Sequence, residues 1–146
     1  MSATRSRKDH RRYKRYQQNR GAGGDCIFCE MNENTEQILE QTEHFKIIRN
    51  IFAYSRWDEQ SVTDHLLVAP KQHTDTLKDL TPLESQEFVR IITDYEDQGY
   101  NIYARAPGSN MKSIVHQHTH LIKTAGKLKK SVVNNVATKI IKKLKH

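Results

Sequence analysis

The run His116-Gln117-His118-Thr119-His120 sets an imidazole at every second residue, framed by Ile114-Val115 before it and Leu121-Ile122 after it. The apolar frame marks a buried strand over 113–123. Strand side chains alternate between faces, so all three histidines are expected on one side of a sheet, each about 7 Å from the next. Three rings on one face fill a core poorly, because each needs a hydrogen-bond partner once buried. The run therefore points to chemistry. Imidazole ligates metals, moves protons and acts as a nucleophile, and a central histidine held by two others suits the last of these.

Other segments supply the rest of a mixed α and β domain. Ile38-Leu39 and the stretch His44–Tyr54 are rich in β-branched and aromatic residues and predict one strand or a bent pair. Asp64–Ala69 predicts a buried strand stopped by Pro70, with Ser55–Thr63 as a polar connecting loop. Thr81-Pro82-Leu83-Glu84 is a helix start: Thr81 caps, Pro82 needs no N–H there, and Glu84 completes a capping box. Phe88, Ile91, Ile92 and Tyr95 then share one helix face, and Gly99 ends it. Strands are expected at Tyr100–Ala106 and Ser113–Lys123, joined by the loop 107–112.

The net charge of +7 is unevenly spread. Residues 1–25 carry +6, residues 26–125 carry −6 and residues 126–146 carry +7. Basic tails on an acidic core attract polyanions by counterion release, so RNA is a candidate partner. Met1–Asp25 has too few aliphatic residues to offset ordering entropy and is expected to be a disordered or conditionally ordered arm, with Tyr13 and Tyr16 available to stack on unpaired bases. Val132, Val136, Ile140 and Leu144 predict a basic amphipathic helix within a C-terminal extension, 125–146. No apolar run is long enough for a bilayer span and no leader is seen, which points to the cytoplasm. There, Cys26-x-x-Cys29 reads as a metal half-site or a redox pair. The chain has no Gly-x-Ser-x-Gly elbow, no Walker A run and no acidic cluster for catalytic magnesium, so serine, cysteine and P-loop chemistry have no support.

Four landmarks in order resemble the histidine triad (HIT) superfamily of nucleotide hydrolases and transferases. They are Cys26-Ile27-Phe28-Cys29, the run from His65 to Pro70-Lys71-Gln72-His73, Gly108-Ser109-Asn110-Met111-Lys112-Ser113, and the histidine run with Leu121-Ile122. The resemblance spans about 26–124 and leaves both basic tails outside. It implies an α+β HIT-like fold with a five-stranded antiparallel sheet, one main helix and one short helix, often as a homodimer. It also implies attack by His118 on the α-phosphorus of nucleoside phosphoramidates, dinucleoside polyphosphates or related conjugates, through a covalent nucleotidyl-histidine. On that pattern His120 contacts the phosphate or assists proton transfer, and His116 holds the His118 ring directly or through a metal. A structural zinc is implied on Cys26, Cys29, His73 and His116, with no organic cofactor. A zinc-braced binding module whose tails contact RNA, with little turnover, is the alternative.

The resemblance also implies substrate contacts. Ser113 matches a hydroxyl near the phosphate, Asn110 shares its loop, and His65 matches a histidine packed against the triad. Three positions depart from the family pattern. Arg105 replaces an amide eleven residues before His116, and Lys112 replaces a frequent Gln; each either favours more anionic phosphate chains or locks onto an acid in the core. Eight residues before His65, where a ribose-binding Asp or Asn is common, stands Trp57, making the adjacent Asp58 the candidate.

Overall fold

The computed structural model describes residues 4–20 and 25–128. Its elements in chain order are helix α1 (Arg7–Arg20), a one-turn helix α2 (Ile27–Glu30), strands β1 (Ile38–Gln41), β2 (Phe45–Arg49), β3 (Arg56–Trp57) and β4 (Gln60–Pro70), helix α3 (Pro82–Asp97), and strands β5 (Asn101–Ala104) and β6 (Thr119–Leu128). The strands form one antiparallel sheet in the order β1-β2-β4-β6-β5, with the two-residue β3 paired to the start of β4. This is the expected α+β architecture of five main strands with one long helix, α3, to which the N-terminal arm adds a second, α1. Among the described residues no helix is long and apolar enough to cross a membrane.

The pleat sorts the side chains. Phe45, Ile47, Leu66, Val68 and Leu121 point to the face covered by α3, where Ile91, Phe88, Ile92 and Tyr95 meet them. Ile48, Leu67 and Ala69 point the other way and pack with Phe28 of α2, Ile27, Met31 and Ile114. α3 starts as its sequence dictates: Thr81 Oγ1 accepts from Glu84 N–H, Glu84 Oε2 accepts from Thr81 N–H, and Gly99 takes a positive φ just beyond the end. α3 thus closes one face, and the opposite face is left to the histidines.

Several expectations change. Ser55–Thr63 is a β-hairpin rather than a loop, with Asp58 and Glu59 at its turn in the left-handed region. β2 ends at Arg49, because Asn50 Oδ1 accepts from Phe52 N–H at 2.9 Å and turns the chain. The strand expected from Ser113 begins only at Thr119, where pairing starts with Val68 of β4 and with Ala104, the last residue of β5. β6 then continues to Leu128 opposite Gln60, so the boundary drawn at residue 124 falls inside a strand.

The N-terminal arm also differs, for Arg7–Arg20 is helical. Arg, Lys and Gln are good helix formers, and Asp9 N–H donates to Ser6 Oγ as a cap; an argument from apolar burial alone misses both. Tyr13 and Tyr16 pack on Phe52, with ring centroids 5.4 and 4.7 Å away, instead of standing free for bases. Residues 21–24 and the helix expected over Val132, Val136, Ile140 and Leu144 lie outside the described residues.

Candidate active site

The histidines divide between two tasks. His116 and His118 lie in the irregular segment before β6, pinned to the chain beyond β4 by Gln117 N–H donating to Thr74 O at 2.6 Å. They therefore do not follow strand alternation, and the three rings do not form one flat stripe. His116 is fully buried and turned toward α2, whereas His118 and His120 line a cleft of about 590 Å³. That volume lies in the range of small-ligand sites. Phe28, Ile48 and Leu67 form apolar cleft wall, and Ser113 joins them from the loop before the triad.

Fixed acceptors and donors set the protonation of each ring. His118 Nδ1 lies 2.8 Å from His116 O, and a carbonyl only accepts, so Nδ1 carries the hydrogen and the lone pair is on Nε2. Burial, aided by the charges of Lys112, His116 and Arg105, lowers the pKa of His118 below its ordinary value, keeping the ring neutral at pH 7. His116 thus holds His118 through its backbone oxygen.

A second chain starts at the backbone. Tyr54 N–H donates to His65 Nδ1 at 2.9 Å, so neutral His65 carries its hydrogen on Nε2. His65 Nε2 donates in turn to His120 Nδ1 at 2.8 Å. His120 must then bear its own hydrogen on Nε2, the free nitrogen of the ring. Burial dominates both titrations, pushing His65 down to about 3 and His120 down to about 2. The His118 and His120 ring centroids are 5.2 Å apart in an edge-to-face arrangement.

A separate cluster joins Cys26, Cys29, His73 and His116, whose ligand atoms all lie within 4.8 Å of one another. Cys26 Sγ and Cys29 Sγ are 3.3 and 3.6 Å from His116 Nδ1, and His73 Nδ1 is 3.3 Å from Cys29 Sγ and 3.2 Å from His116 Nδ1. A tetrahedral ion with ordinary metal–sulfur and metal–nitrogen bonds separates its ligands by about 3.3–3.8 Å, close to these separations, so the four suit one. His116 Nε2 donates to Pro70 O at 2.8 Å, which frees Nδ1 for the metal and fixes the ring plane. Both cysteines are free thiols, each facing a histidine.

The remaining candidates scatter. Lys112 is not available to substrate: its ammonium, with the side chain 3% exposed, bonds the Asp75 carboxylate and Asp75 O. Of the two roles open to it, the lock onto an acid is the one adopted. Arg105 lies over the Tyr103 ring, and its Nη2 donates to Tyr54 Oη at 3.4 Å. Asn110 is exposed in the turn after β5, and Asp58 is exposed at the hairpin tip; neither lines the cleft. The polar side chain in the cleft at the end of β2 is Asn50, with Nδ2 3.3 Å from His65 Nε2. Counting back from His65 misses it because the β3–β4 hairpin lengthens the connection. A lone amide two residues after Ile48, between Arg49 and Ile51, was the signal available.

The HIT domain family model matches residues 31–127. Among solved structures, the chain is similar to a member of the HIT family from Bacillus subtilis, at 20% identity over 82% of this chain and 96% of that one, with a TM-score of 0.54. It is similar to a HIT family hydrolase from Legionella pneumophila Philadelphia 1, at 19% identity over 74% and 97%, TM-score 0.50. A histidine triad nucleotide-binding protein from Candida albicans matches at 20% identity over 83% and 95%, TM-score 0.50. At such identities the likeness is one of fold. A comparison with curated proteins finds no match.

Proposed function

The chain belongs to the HIT domain family, and on that premise we propose that it is a nucleotide hydrolase or nucleotidyl transferase working through a covalent intermediate on His118. One observation carries the reading: the His116 carbonyl holds the Nδ1–H of a buried, neutral His118, leaving a nucleophilic Nε2 in a nucleotide-sized cleft. In the first step Nε2 bonds the α-phosphorus as the bond to the leaving group breaks. His120 Nε2–H hydrogen-bonds the departing group, which takes its proton from solvent, and the positive charge gained by the His118 ring is stabilised by His116 O. In the second step water attacks phosphorus, the P–N bond breaks back to His118, and the water proton passes to solvent. The products are a nucleoside monophosphate and the protonated leaving group, with both rings as they began.

Ser113, in the cleft wall, is assigned to the phosphate, and Asn50, also in the cleft, to the ribose in place of Asp58. Zinc suits the thiolate and imidazole set of Cys26, Cys29, His73 and His116. With four protein ligands it supplies bracing rather than an activated water, fixing His116 and through its carbonyl the His118 ring. The outer strand β5 carries a half-exposed Ile102 and supports pairing into a homodimer. The test is incubation with adenosine phosphoramidate or a dinucleoside polyphosphate, followed by acid-free mass analysis. An adenylyl adduct on His118 and release of AMP are expected. His118→Asn should bind AMP but turn over at least about a hundredfold more slowly. Turnover without an adduct, or with the variant near wild type, refutes covalent catalysis.

A further inference from the structure

Part of the cleft wall comes from outside the residues that the family model matches. Arg5, Tyr13, Tyr16 and Gln17 line the same cleft as His118 and His120. The segment before α1 is fastened to the hairpin: Ser55 N–H and Arg56 N–H donate to Thr4 O at 2.8 and 3.2 Å, and Ser6 N–H donates to Ser55 Oγ at 2.7 Å. These bonds fix Arg5 between two rings, its guanidinium carbon 4.4 Å from the Tyr13 centroid and 4.9 Å from that of Tyr54. Tyr54 in turn stacks on His120, 5.4 Å away.

The guanidinium is half-buried, and among the described residues no carboxylate forms an ion pair with it. Phe52 O accepts from Nε and Nη2 at 3.4 and 3.3 Å, which engages two of its five donors weakly. A partly desolvated cation held against aromatic rings, with donors to spare and no acid, is a site built for an anion. Its field already reaches the catalytic rings: after burial, the charge of Arg5 is the next cause lowering His65, and it adds to the lowering of His120. Lys112, one of the two cations the sequence offers for such a role, is taken by Asp75.

We propose that Arg5 is a phosphate-binding residue of the nucleotide cleft, carried in by the N-terminal segment, and that it favours phosphorylated ligands over bare nucleosides. This rests on the nucleotide reading above. The substrate class it selects is nucleotides whose phosphate chain stays anionic in the cleft, and the segment from Thr4 through α1 acts as a specificity element added to the family domain.

The experiment titrates adenosine, AMP and ADP into the full chain carrying His118→Asn, which blocks turnover, with and without Arg5→Gln. Loss of a charge-assisted hydrogen bond should weaken AMP or ADP about tenfold while leaving adenosine within about twofold. Arg5→Lys, which keeps the charge but not the planar stack, should recover much of the phosphate-dependent part. If Arg5→Gln weakens all three ligands alike and Lys does not rescue, the arm merely packs and the proposal is overturned. It is equally overturned if no ligand is affected. Should the Arg5 protein bind none of the three, the nucleotide reading itself fails and this inference goes with it.

Discussion

Replacing His65 by Gln tests the protonation chain that organises the site, because the amide still offers an N–H to His120 Nδ1 but cannot be protonated. His65 is 2% exposed and titrates at about 3 in the folded protein, against an ordinary 6.5. A histidine whose pKa is depressed by folding binds more protons when unfolded. Its effect on stability is nil above the unfolded pKa and becomes a loss as the pH falls below it. Between pH 7 and pH 5 the unfolded ring gains about 2 kcal/mol of protonation free energy that the folded ring does not. The wild type should therefore lose about 2 kcal/mol more stability than His65→Gln over that interval. The variant should start about 1–2 kcal/mol weaker at pH 7 through lost packing against Tyr54. Loss of any bound metal in acid affects both proteins alike and cancels in the difference. Urea unfolding at the two pH values, followed by emission of the single tryptophan, Trp57, measures each term. Parallel losses in the two proteins would mean that His65 is not buried neutral, and the proton on His120 would then have no assigned position.

Three further outcomes are expected. Cys29→Ser should reduce bound zinc from about one per chain toward none and lower Tm by at least about 5 °C, read by elemental analysis and thermal unfolding. Thr81→Ala removes one half of the capping box and should cost about 1 kcal/mol in urea without changing the slope. Asn50→Ala should weaken adenosine binding several-fold, whereas Asp58→Ala should leave it unchanged; calorimetric titration separates the two, and the reverse result would return the ribose role to the hairpin tip.

Much of this fold is legible in the chain because local signals agree with it. The Thr81 cap, the face Phe88-Ile91-Ile92-Tyr95 and the stop at Pro70 each act over a few residues, and each appears where its chemistry requires. What escapes is set by distant partners. Whether 113–118 is strand depends on where pairing with β4 and β5 starts, which its own alternating pattern does not encode. Asn50 lines the cleft and Asp58 does not, because an inserted hairpin breaks the spacing rule. The order in α1 comes from capping, helix propensity and the Phe52 ring, none of which weighs in a count of aliphatic residues. At the site, residue types announce the histidines and cysteines, but which nitrogen of His118 and of His120 carries the hydrogen rests on backbone atoms of His116 and Tyr54 that have no signature in the alphabet.

The origin of the His65–His120 relay in the Tyr54 amide has an evolutionary corollary. A side-chain donor at the head of that series would be exposed to loss by a single base change, and the proton order of both rings would go with it. Nineteen of the twenty amino acids bring the same amide hydrogen to position 54. So long as the loop keeps its course, only proline there removes the directing group, and the proton order of His65 and His120 is insulated from ordinary mutational drift.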